Sequence, residues 1–351
     1  MNKIQTPPFL KKADTIGITA PSFGCTIEPY ITRFKDALKQ FEKLGYKFKI
    51  GQTVYKNDGL GISTDPEVAA KELVDFYCDP LVHLIISAGG GELMCETLSH
   101  IDFERIKKAP AKWFMGYSDN TNFIFPLVTG CNVKAIYGPN ITGFGKPWEE
   151  TEIQSIELME GKRNSVSGYE LFQMPEDGTE AKAANPLSPY VLSQKKIIKM
   201  YPKTLEQASC ITFDGILTGG CLDVLANLAG TSFDFVEEFN RQNEKIIWVL
   251  EACDLSPMGI RRAIWQLKEA GWFKKASGFL IGRPLAAWNQ NMMGVDQYNA
   301  VTDILKPLGL PIFMDVDIGH ISPAMPLVMG AHTFVKIQDS NINLTFDLNY
   351  V

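Results

Sequence analysis

The chain has 351 residues, which exceeds the usual length of one domain and predicts two domains of unequal size. Its 45% hydrophobic and 21% charged residues exclude a largely disordered, collagen-like or coiled-coil protein. The 34 Lys and Arg residues against 40 Asp and Glu give a net charge of −6, which disfavours binding to nucleic acid or to an anionic membrane.

The cysteines, seven in number, are dispersed along the chain and form no Cys-x-x-Cys pair. This pattern favours reduced thiols in a cytoplasmic protein over a disulfide framework or a zinc site. The first residues contain no apolar segment of signal-peptide length, and no apolar run approaches the roughly 20 residues of a membrane span. We therefore expect a cytoplasmic location.

In the first half of the chain, short apolar runs alternate with amphipathic patterns. The predicted elements, in chain order, are a strand over Asp14–Ala20, helices over Pro29–Leu44 and Pro66–Tyr77, strands over Leu81–Ala88 and Lys112–Gly116, and a helix from about Asn120. Continuous apolar strands that alternate with helices indicate a parallel sheet covered on both faces. Ligands of such sheets bind at the carboxyl ends of the strands.

The pattern weakens between residues 161 and 205, a largely polar stretch that contains Pro and Gly. A stretch of this length with little regular structure is typical of a linker or of a loop over a site. The elements predicted around it are a helix over Glu149–Glu160, a helix over Gly220–Gly230, a strand over Lys245–Glu251, a helix that Ser256 caps and Pro257 opens, and a strand-rich C-terminal segment. We therefore divide the chain into an α/β domain over 1–160, a linker over 161–205 and a second domain over 206–351.

The segment KWFMGYSDN, residues 112–120, carries the sharpest local signal of chemistry. An apolar strand runs into Gly-x-Ser and directly into a helix, as in a nucleophile elbow that lifts a serine above the edge of a sheet. The helix N-terminus behind Ser118 supplies N–H donors suited to a developing oxyanion. Asn120 replaces the second glycine of the usual motif, so a serine that only caps the helix is the alternative.

A nucleophilic serine needs a general base, and the chain has four histidines. His83 lies inside an apolar run and is predicted to be a core residue, whereas His100 and His332 lie near element ends. His320 follows an apolar run and lies in a loop with Gly and Pro, where functional side chains are often presented. His320 is the best candidate base, because a neutral imidazole can accept the serine proton and return it to a leaving group.

A carboxylate is then needed to orient the imidazole. Glu251 ends the apolar strand KIIWVLE, where an isolated charge is costly unless it is paired. Asp254 and Asp317 are rivals for this role, and either can instead be an ordinary loop or capping carboxylate.

A glycine run over residues 89–91 follows the strand LVHLIIS. It lacks the last glycine of Gly-x-Gly-x-x-Gly and the lysine of a Walker motif, so dinucleotide or phosphate binding has little support and no cofactor is expected. The turn is suited to present backbone N–H groups to an oxyanion, although a tight strand–helix connection without a ligand is the alternative. No His-Glu-x-x-His or clustered His/Cys motif occurs, so no metal is expected.

Five segments in this order, GGG…IDF, GYSDNT, GGCLDVL, LEACD and GHISP, resemble the LD-carboxypeptidase family of serine peptidases over nearly the whole chain. The resemblance implies Ser118 as nucleophile, Glu251 and His320 as the other members of a triad, and oxyanion donors from the backbone. Those backbone donors would be Gly90, Gly91 and Asp119. It also implies an α/β fold with an N-terminal flavodoxin-like parallel-sheet domain and a C-terminal β-rich α/β domain, an active site at their interface, and a cytoplasmic homodimer.

The activity implied by this resemblance is hydrolysis of an amide bond, first of all release of the terminal D-alanine from murein tetrapeptides in cell-wall recycling. The alternative is cleavage of an aminoacyl- or peptidyl-nucleotide amide, as in the microcin C immunity-type members. Two departures from the family are Glu92, where an aromatic residue often follows the glycine turn, and the absence of Trp between Glu149 and Cys210, where immunity-type enzymes carry a stacking tryptophan. The alternative outside the enzymes is a non-catalytic protein that binds a small ligand in the same cleft.

Overall fold

The computed structural model describes residues 4–177 and 179–349, and it confirms an α/β fold built on two sheets. The helices are α1 (Tyr30–Lys43), α2 (Pro66–Cys78), α3 (Met94–Leu98), α4 (Phe103–Lys108), α5 (Thr121–Thr129), α6 (Glu150–Met159), α7 (Thr179–Ala184), α8 (Leu222–Leu228), α9 (Val236–Gln242), α10 (Pro257–Glu269) and α11 (Asn299–Leu305). Within the described ranges, no helix is both long and apolar enough to cross a bilayer.

The strands are short, and most of them belong to one of the two sheets. Those of the first half are β1 (Thr15–Thr19), β2 (Lys47–Ile50), β3 (Leu84–Ser87), β4 (Trp113–Gly116), β5 (Ala135–Tyr137), β6 (Ser165–Ser167) and β7 (Leu171–Phe172). Those that follow are β8 (Gln194–Lys195), β9 (Lys199–Tyr201), β10 (Ile211–Cys221), β11 (Ile246–Glu251), β12 (Ala276–Gly282), β13 (Asn291–Met292), β14 (Val295–Asp296), β15 (Ile312–Val316), β16 (Leu327–Met329), β17 (His332–Gln338) and β18 (Asn341–Phe346).

The first sheet has the strand order β2-β1-β3-β4-β5-β16. The first five strands are parallel in the flavodoxin-like order, in which ligands bind where the strand order reverses, at the carboxyl ends of β1 and β3. β16 comes from the C-terminal part of the chain and runs antiparallel to β5, with Leu327 opposite Tyr137. The two halves of the chain therefore share this sheet.

The second sheet has eight strands in the order β6-β18-β17-β10-β11-β12-β15-β9. The four strands β10, β11, β12 and β15 are parallel, and antiparallel strands flank them on both sides. The segment 161–205 contributes β6 to one edge of this sheet and β9 to the other edge.

Burial along the strands follows from their place in the sheets. The strands β4 (WFMG) and β11 (IIWVLE) are buried along their whole length, as expected for parallel strands covered on both faces. By contrast, β17 alternates buried with more exposed residues, because one face of the sheet meets solvent there. The helix α10 begins as the sequence predicts: Ser256 Oγ accepts the N–H of Gly259 at 3.2 Å, and Pro257 is the first helical residue.

Two sequence predictions are wrong in detail. The helix predicted over Gly220–Gly230 begins only at Leu222, because residues up to Cys221 continue β10 in register with β11. His83 is not a core residue, because β3 begins at Leu84 and the imidazole lies at the rim of the sheet with its side chain 44% exposed.

Candidate active site

Ser118 lies in the turn between β4 and α5, where the sequence predicts a nucleophile elbow. The strand ends at Gly116, and one 3₁₀ turn over Ser118–Asn120 leads into α5. Ser118 has a φ of +63°, a left-handed conformation that is strained for a residue with a Cβ and is concentrated at functional sites. A Cβ at Gly116 would lie 2.9 Å from Asn120 Cγ, so the turn requires glycine there.

Three side chains that are distant in the sequence form one hydrogen-bonded chain. His320 Nε2 lies 2.8 Å from Ser118 Oγ, and His320 Nδ1 lies 2.8 Å from Glu251 Oε2. A carboxylate can only accept hydrogen bonds, so it places the proton of a neutral imidazole on Nδ1 and leaves Nε2 to accept from the serine. The structure thus arranges Ser118, His320 and Glu251 in the order that proton transfer from a serine requires.

Glu251 is the carboxylate at the end of β11, and its side chain is fully buried. Its Oε1 accepts the O–H of Tyr137 at 2.6 Å, while its Oε2 faces His320. Two glycines make room for it: a Cβ at Gly282 would lie 2.9 Å from Glu251 Cβ, and one at Gly319 would lie 2.5 Å from Glu251 Oε2. Both carboxylate oxygens are therefore hydrogen-bonded, as a buried charge requires.

Glu251 and His320 shift each other's pKa. Burial by itself raises the pKa of Glu251, but the charge of His320 and the hydrogen bonds from His320 and Tyr137 bring it below its ordinary value. Burial by itself lowers the pKa of His320, yet the neighbouring Glu251 carboxylate holds it well above its ordinary value. The pocket therefore stabilises an imidazolium next to the serine.

The glycine turn after β3 lies directly beside Ser118. A Cβ at Gly90 would lie 3.6 Å from Ser118 Oγ, which is ordinary van der Waals contact. One at Gly91 would lie 2.0 Å from Ser22 Oγ, so Gly91 has no room for a side chain. The Gly90 carbonyl accepts the backbone N–H of Phe23 at 3.0 Å, which ties the turn to the loop after β1. The predicted oxyanion turn thus adjoins the serine hydroxyl.

Asp119, the third predicted backbone donor, has a buried carboxylate that anchors the elbow. This carboxylate accepts the hydroxyl of Ser22 at 2.5 Å, the backbone N–H of Met94 at 2.9 Å and the side-chain amide of Asn122 at 2.9 Å. The turn that carries Ser118, the start of α3 and the loop after β1 are therefore joined through one side chain.

Most of the chain matches two consecutive domains of one known protein family. Residues 16–138 match the LD-carboxypeptidase N-terminal domain, and residues 214–335 match the LD-carboxypeptidase C-terminal domain. The chain belongs to the LD-carboxypeptidase family. The resemblance expected from the sequence motifs is thereby confirmed.

Named relatives align with this LD-carboxypeptidase family member over most of their length. A Treponema pallidum (strain Nichols) protein named "Putative carboxypeptidase" is 25% identical over 343 residues, which cover 94% of this chain and 91% of the relative. The Bacillus subtilis (strain 168) protein named "Putative carboxypeptidase YocD" is 25% identical over 329 residues, 92% of this chain and 93% of the relative.

Solved structures share the fold of the whole chain. The microcin C7 self-immunity protein MccF, in its wild-type apo state, superposes with a TM-score of 0.79 at 21% identity, and covers 98% of this chain and 99% of its own. An MccF-like protein from Bacillus anthracis str. Ames has a TM-score of 0.79 at 20% identity, with 97% and 99% covered. The predicted two-part α/β fold is thus confirmed.

A cleft of about 430 Å³ contains the hydroxyl of Ser118 and the ring of His320. Its walls include Arg33 of α1 together with Ser188 and Tyr190 of the segment 161–205. The cleft therefore draws on the first half of the chain, on the segment between the halves and on the loop that carries His320. Among the residues that the structure describes, no three His, Cys, Asp or Glu side chains form a group that could hold a metal ion.

Sequence reasoning missed Tyr137, whose hydroxyl contacts both Glu251 and the backbone of Ser118. The sequence carries only a weak signal for it, because Tyr137 ends the apolar run before Gly138-Pro139. In the structure, β5 lies parallel to β4 with Tyr137 opposite Gly116. A polar group at the carboxyl end of β5, the strand next to β4, is well placed to join the site around Ser118.

The two rival carboxylates have other partners. Asp317 is fully buried and pairs with Lys196 Nζ at 2.7 Å and with Arg283 at 2.8 Å. Asp254 is exposed, and its side chain has a hydrogen bond with the side chain of Glu92. Of the three candidates, Glu251 is the carboxylate that the fold brings to Nδ1 of His320.

The buried ion pairs of Asp317 lead to a prediction about stability. Asp317→Asn leaves two buried cations without a counter-charge, so we expect the free energy of unfolding to fall by about 3–5 kcal/mol. Asp303→Asn breaks a half-exposed pair with Arg261 and should cost less than about 1 kcal/mol. Urea unfolding of both variants measures the difference, and equal losses would contradict a structural role for Asp317.

Proposed function

We propose that this protein is a serine peptidase that hydrolyses an amide bond by acyl transfer. The observation that carries the proposal is the chain from Ser118 Oγ through His320 to Glu251, with 2.8 Å at each step, next to a turn of glycines. Family membership supports the same reaction class. Nucleophile, base, orienting carboxylate and a source of oxyanion donors are the parts that this chemistry needs.

In the proposed mechanism, Ser118 Oγ attacks the carbonyl carbon while His320 Nε2 accepts the serine proton. Glu251 stabilises the resulting imidazolium, and backbone N–H groups of the glycine turn and of Asp119 hold the oxyanion. His320 then donates the proton to the leaving amine, and the acyl-enzyme forms as the C–N bond breaks. Water attacks the ester with His320 again as base, which releases the acid and restores the Ser118 hydroxyl.

The preferred substrate in this proposal is a murein tetrapeptide that loses its terminal D-alanine, the reaction for which the family is named. We also propose that the enzyme works in the cytoplasm as a homodimer and needs neither a cofactor nor a metal. The seven cysteines are all unpaired, which suits a reducing compartment.

The charges of the cleft fit a substrate with a free carboxylate. Besides His320, the charged side chains in its wall are those of Lys146, Arg33 and Glu92. Lys146 is neutralised by Glu149 at 2.9 Å and Glu152 at 3.2 Å. Arg33 donates its Nε–H to the carbonyl of Pro186 at 2.7 Å and has no ion pair with a carboxylate of the described residues. A half-buried guanidinium of this kind is suited to bind a carboxylate.

A second candidate substrate is an aminoacyl- or peptidyl-nucleotide. Structures of MccF that share the fold are described in complex with adenosine monophosphate and with aspartyl sulfamoyl adenosine. In this chain, Tyr190 supplies an aromatic ring to the cleft, and Lys146 Nζ lies 4.0 Å from its centre. Comparing turnover of a tetrapeptide with that of an aminoacyl sulfamoyl adenosine separates the two substrates.

The assigned nucleophile and base are tested by hydrolysis of a murein tetrapeptide, with the products identified by mass. We expect Ser118→Ala and His320→Ala to lower the rate by about 10³-fold or more, because each removes a group that acts in the transition state. Ser99→Ala and His100→Ala, at exposed positions, are the matched controls. Near-wild-type turnover by Ser118→Ala would refute the scheme. Tight peptide binding without labelling by a fluorophosphonate would favour a non-catalytic binding protein.

The pH dependence follows from the raised pKa of His320. The base must be neutral, so we expect kcat/KM to increase with pH along a limb that lies above the ordinary histidine pKa. Glu251→Gln removes the charge that raises this pKa, so the limb should move to lower pH while the rate falls. Rate profiles of both proteins from pH 5 to 10 check the direction, and a limb that moves upward in Glu251→Gln contradicts the assignment.

The proposed role of Arg33 is tested with a pair of peptides that differ only in their terminal group. We expect Arg33→Met to raise KM about 10- to 100-fold for a tetrapeptide that ends in D-alanine, because a charged hydrogen bond is lost. The same variant should treat the corresponding D-alaninamide like wild type. Arg262→Met alters an exposed arginine of α10 and is the control. Equal effects of Arg33→Met on both peptides rule out recognition of the carboxylate.

A further inference from the structure

Tyr137 joins the two ends of the hydrogen-bonded chain at the site. Its hydroxyl donates to Glu251 Oε1 at 2.6 Å and accepts the backbone N–H of Ser118 at 3.0 Å. Together with the bonds from Ser118 to His320 and from His320 to Glu251, these contacts close a ring. Ser118 therefore takes part in this ring twice, through its hydroxyl and through its backbone N–H.

The directions of the two hydrogen bonds of Tyr137 are fixed by chemistry. A backbone N–H can only donate and a carboxylate can only accept, so the one proton of the Tyr137 hydroxyl must point to Glu251. The Ser118 N–H is thereby used inside the ring. Oxyanion donors must therefore come from other amides, such as Asp119 and the glycine turn.

The position of Tyr137 is set by strand pairing on both sides. Its strand, β5, lies between β4 and β16, with Gly116 opposite Tyr137 on one side and Leu327 opposite it on the other. The side chain is 2% exposed, so the hydroxyl is held on a rigid element with no freedom to turn to solvent. A group placed in this way can orient its two partners precisely enough to matter for catalysis.

We infer that Tyr137 is a positioning residue of the reaction, which locks the Glu251 carboxylate and the strained Ser118 backbone in one arrangement through a single hydroxyl. This inference rests on the proposed function, because it assigns a role in the activation of Ser118. The role assigned to the residue is to act through Glu251 and Ser118, the two groups that its hydroxyl contacts.

Removal of the hydroxyl changes both the rate and its pH dependence. Tyr137→Phe keeps the aromatic side chain and its packing but leaves Glu251 with one hydrogen bond fewer. The negative charge then acts more strongly on His320, which raises the pKa of the imidazole. The other titratable groups that face His320 and Glu251 are Cys253, Tyr117 and Cys221, and the substitution leaves all three unchanged.

The experiment compares Tyr137→Phe with Tyr46→Phe, which deletes a phenol hydroxyl that donates to Glu160 at 2.5 Å, away from the cleft. We expect Tyr137→Phe to lower kcat about 10- to 100-fold with little change in KM, and to move the ascending limb of the pH profile to higher pH. Tyr46→Phe should leave the rate and the limb at wild-type values. An unchanged rate, or a reduced rate with an unmoved limb, overturns the inference.

The pH dependence of fluorophosphonate labelling at Ser118 provides a readout that needs no peptide substrate. If the wild-type protein labels but hydrolyses no peptide, the proposed function fails while the role of Tyr137 is still measurable by this reaction. Slower labelling of Tyr137→Phe with a limb at higher pH then supports the inference. Labelling identical to that of wild type overturns it. Thermal unfolding of wild type and of Tyr137→Phe checks that both proteins are folded.

Discussion

The charge of one buried carboxylate is the constraint on which the site depends. Glu251 has no access to water, so its negative charge is tolerable only because both oxygens are hydrogen-bonded and an imidazole stands beside it. The glycines at 282 and 319 are consequences of that need, because side chains there would collide with the glutamate. The same charge holds the pKa of His320 above its ordinary value.

The site lies where the two sheets meet because its members come from both of them. Ser118 follows β4 of the first sheet, and Glu251 ends β11 of the second. His320 is in the loop that leaves β15 of the second sheet and enters β16 of the first. Since both ends of this loop are fixed in a sheet, the imidazole is held between the serine and the carboxylate. Rigid placement of this kind is what acyl transfer by a serine needs.

The segment 161–205 is coupled to the histidine loop through Asp317. This carboxylate accepts the backbone N–H of Tyr169 at 2.8 Å and pairs with Lys196, so two points of the segment are tied to a residue three positions before His320. The same segment supplies Tyr190 to the wall of the cleft. A buried ion pair contributes little net stability, but it fixes which groups face each other, and here it orders one wall of the cleft relative to the histidine loop.

The sequence by itself determined the features that depend on a few neighbouring residues. A fully apolar strand followed by Gly-x-Ser predicts the elbow at Ser118, the pair Ser256-Pro257 predicts the start of α10, and ordered motifs indicate the family. Local pattern left Asp254 and Asp317 as rivals of Glu251, and only the resemblance to the family favoured Glu251. The tertiary structure shows that Glu251 meets His320, a contact between residues 69 positions apart. It also decided that Tyr137, 114 positions from Glu251, belongs to the site. Such contacts depend on strand order and register, which no local periodicity encodes.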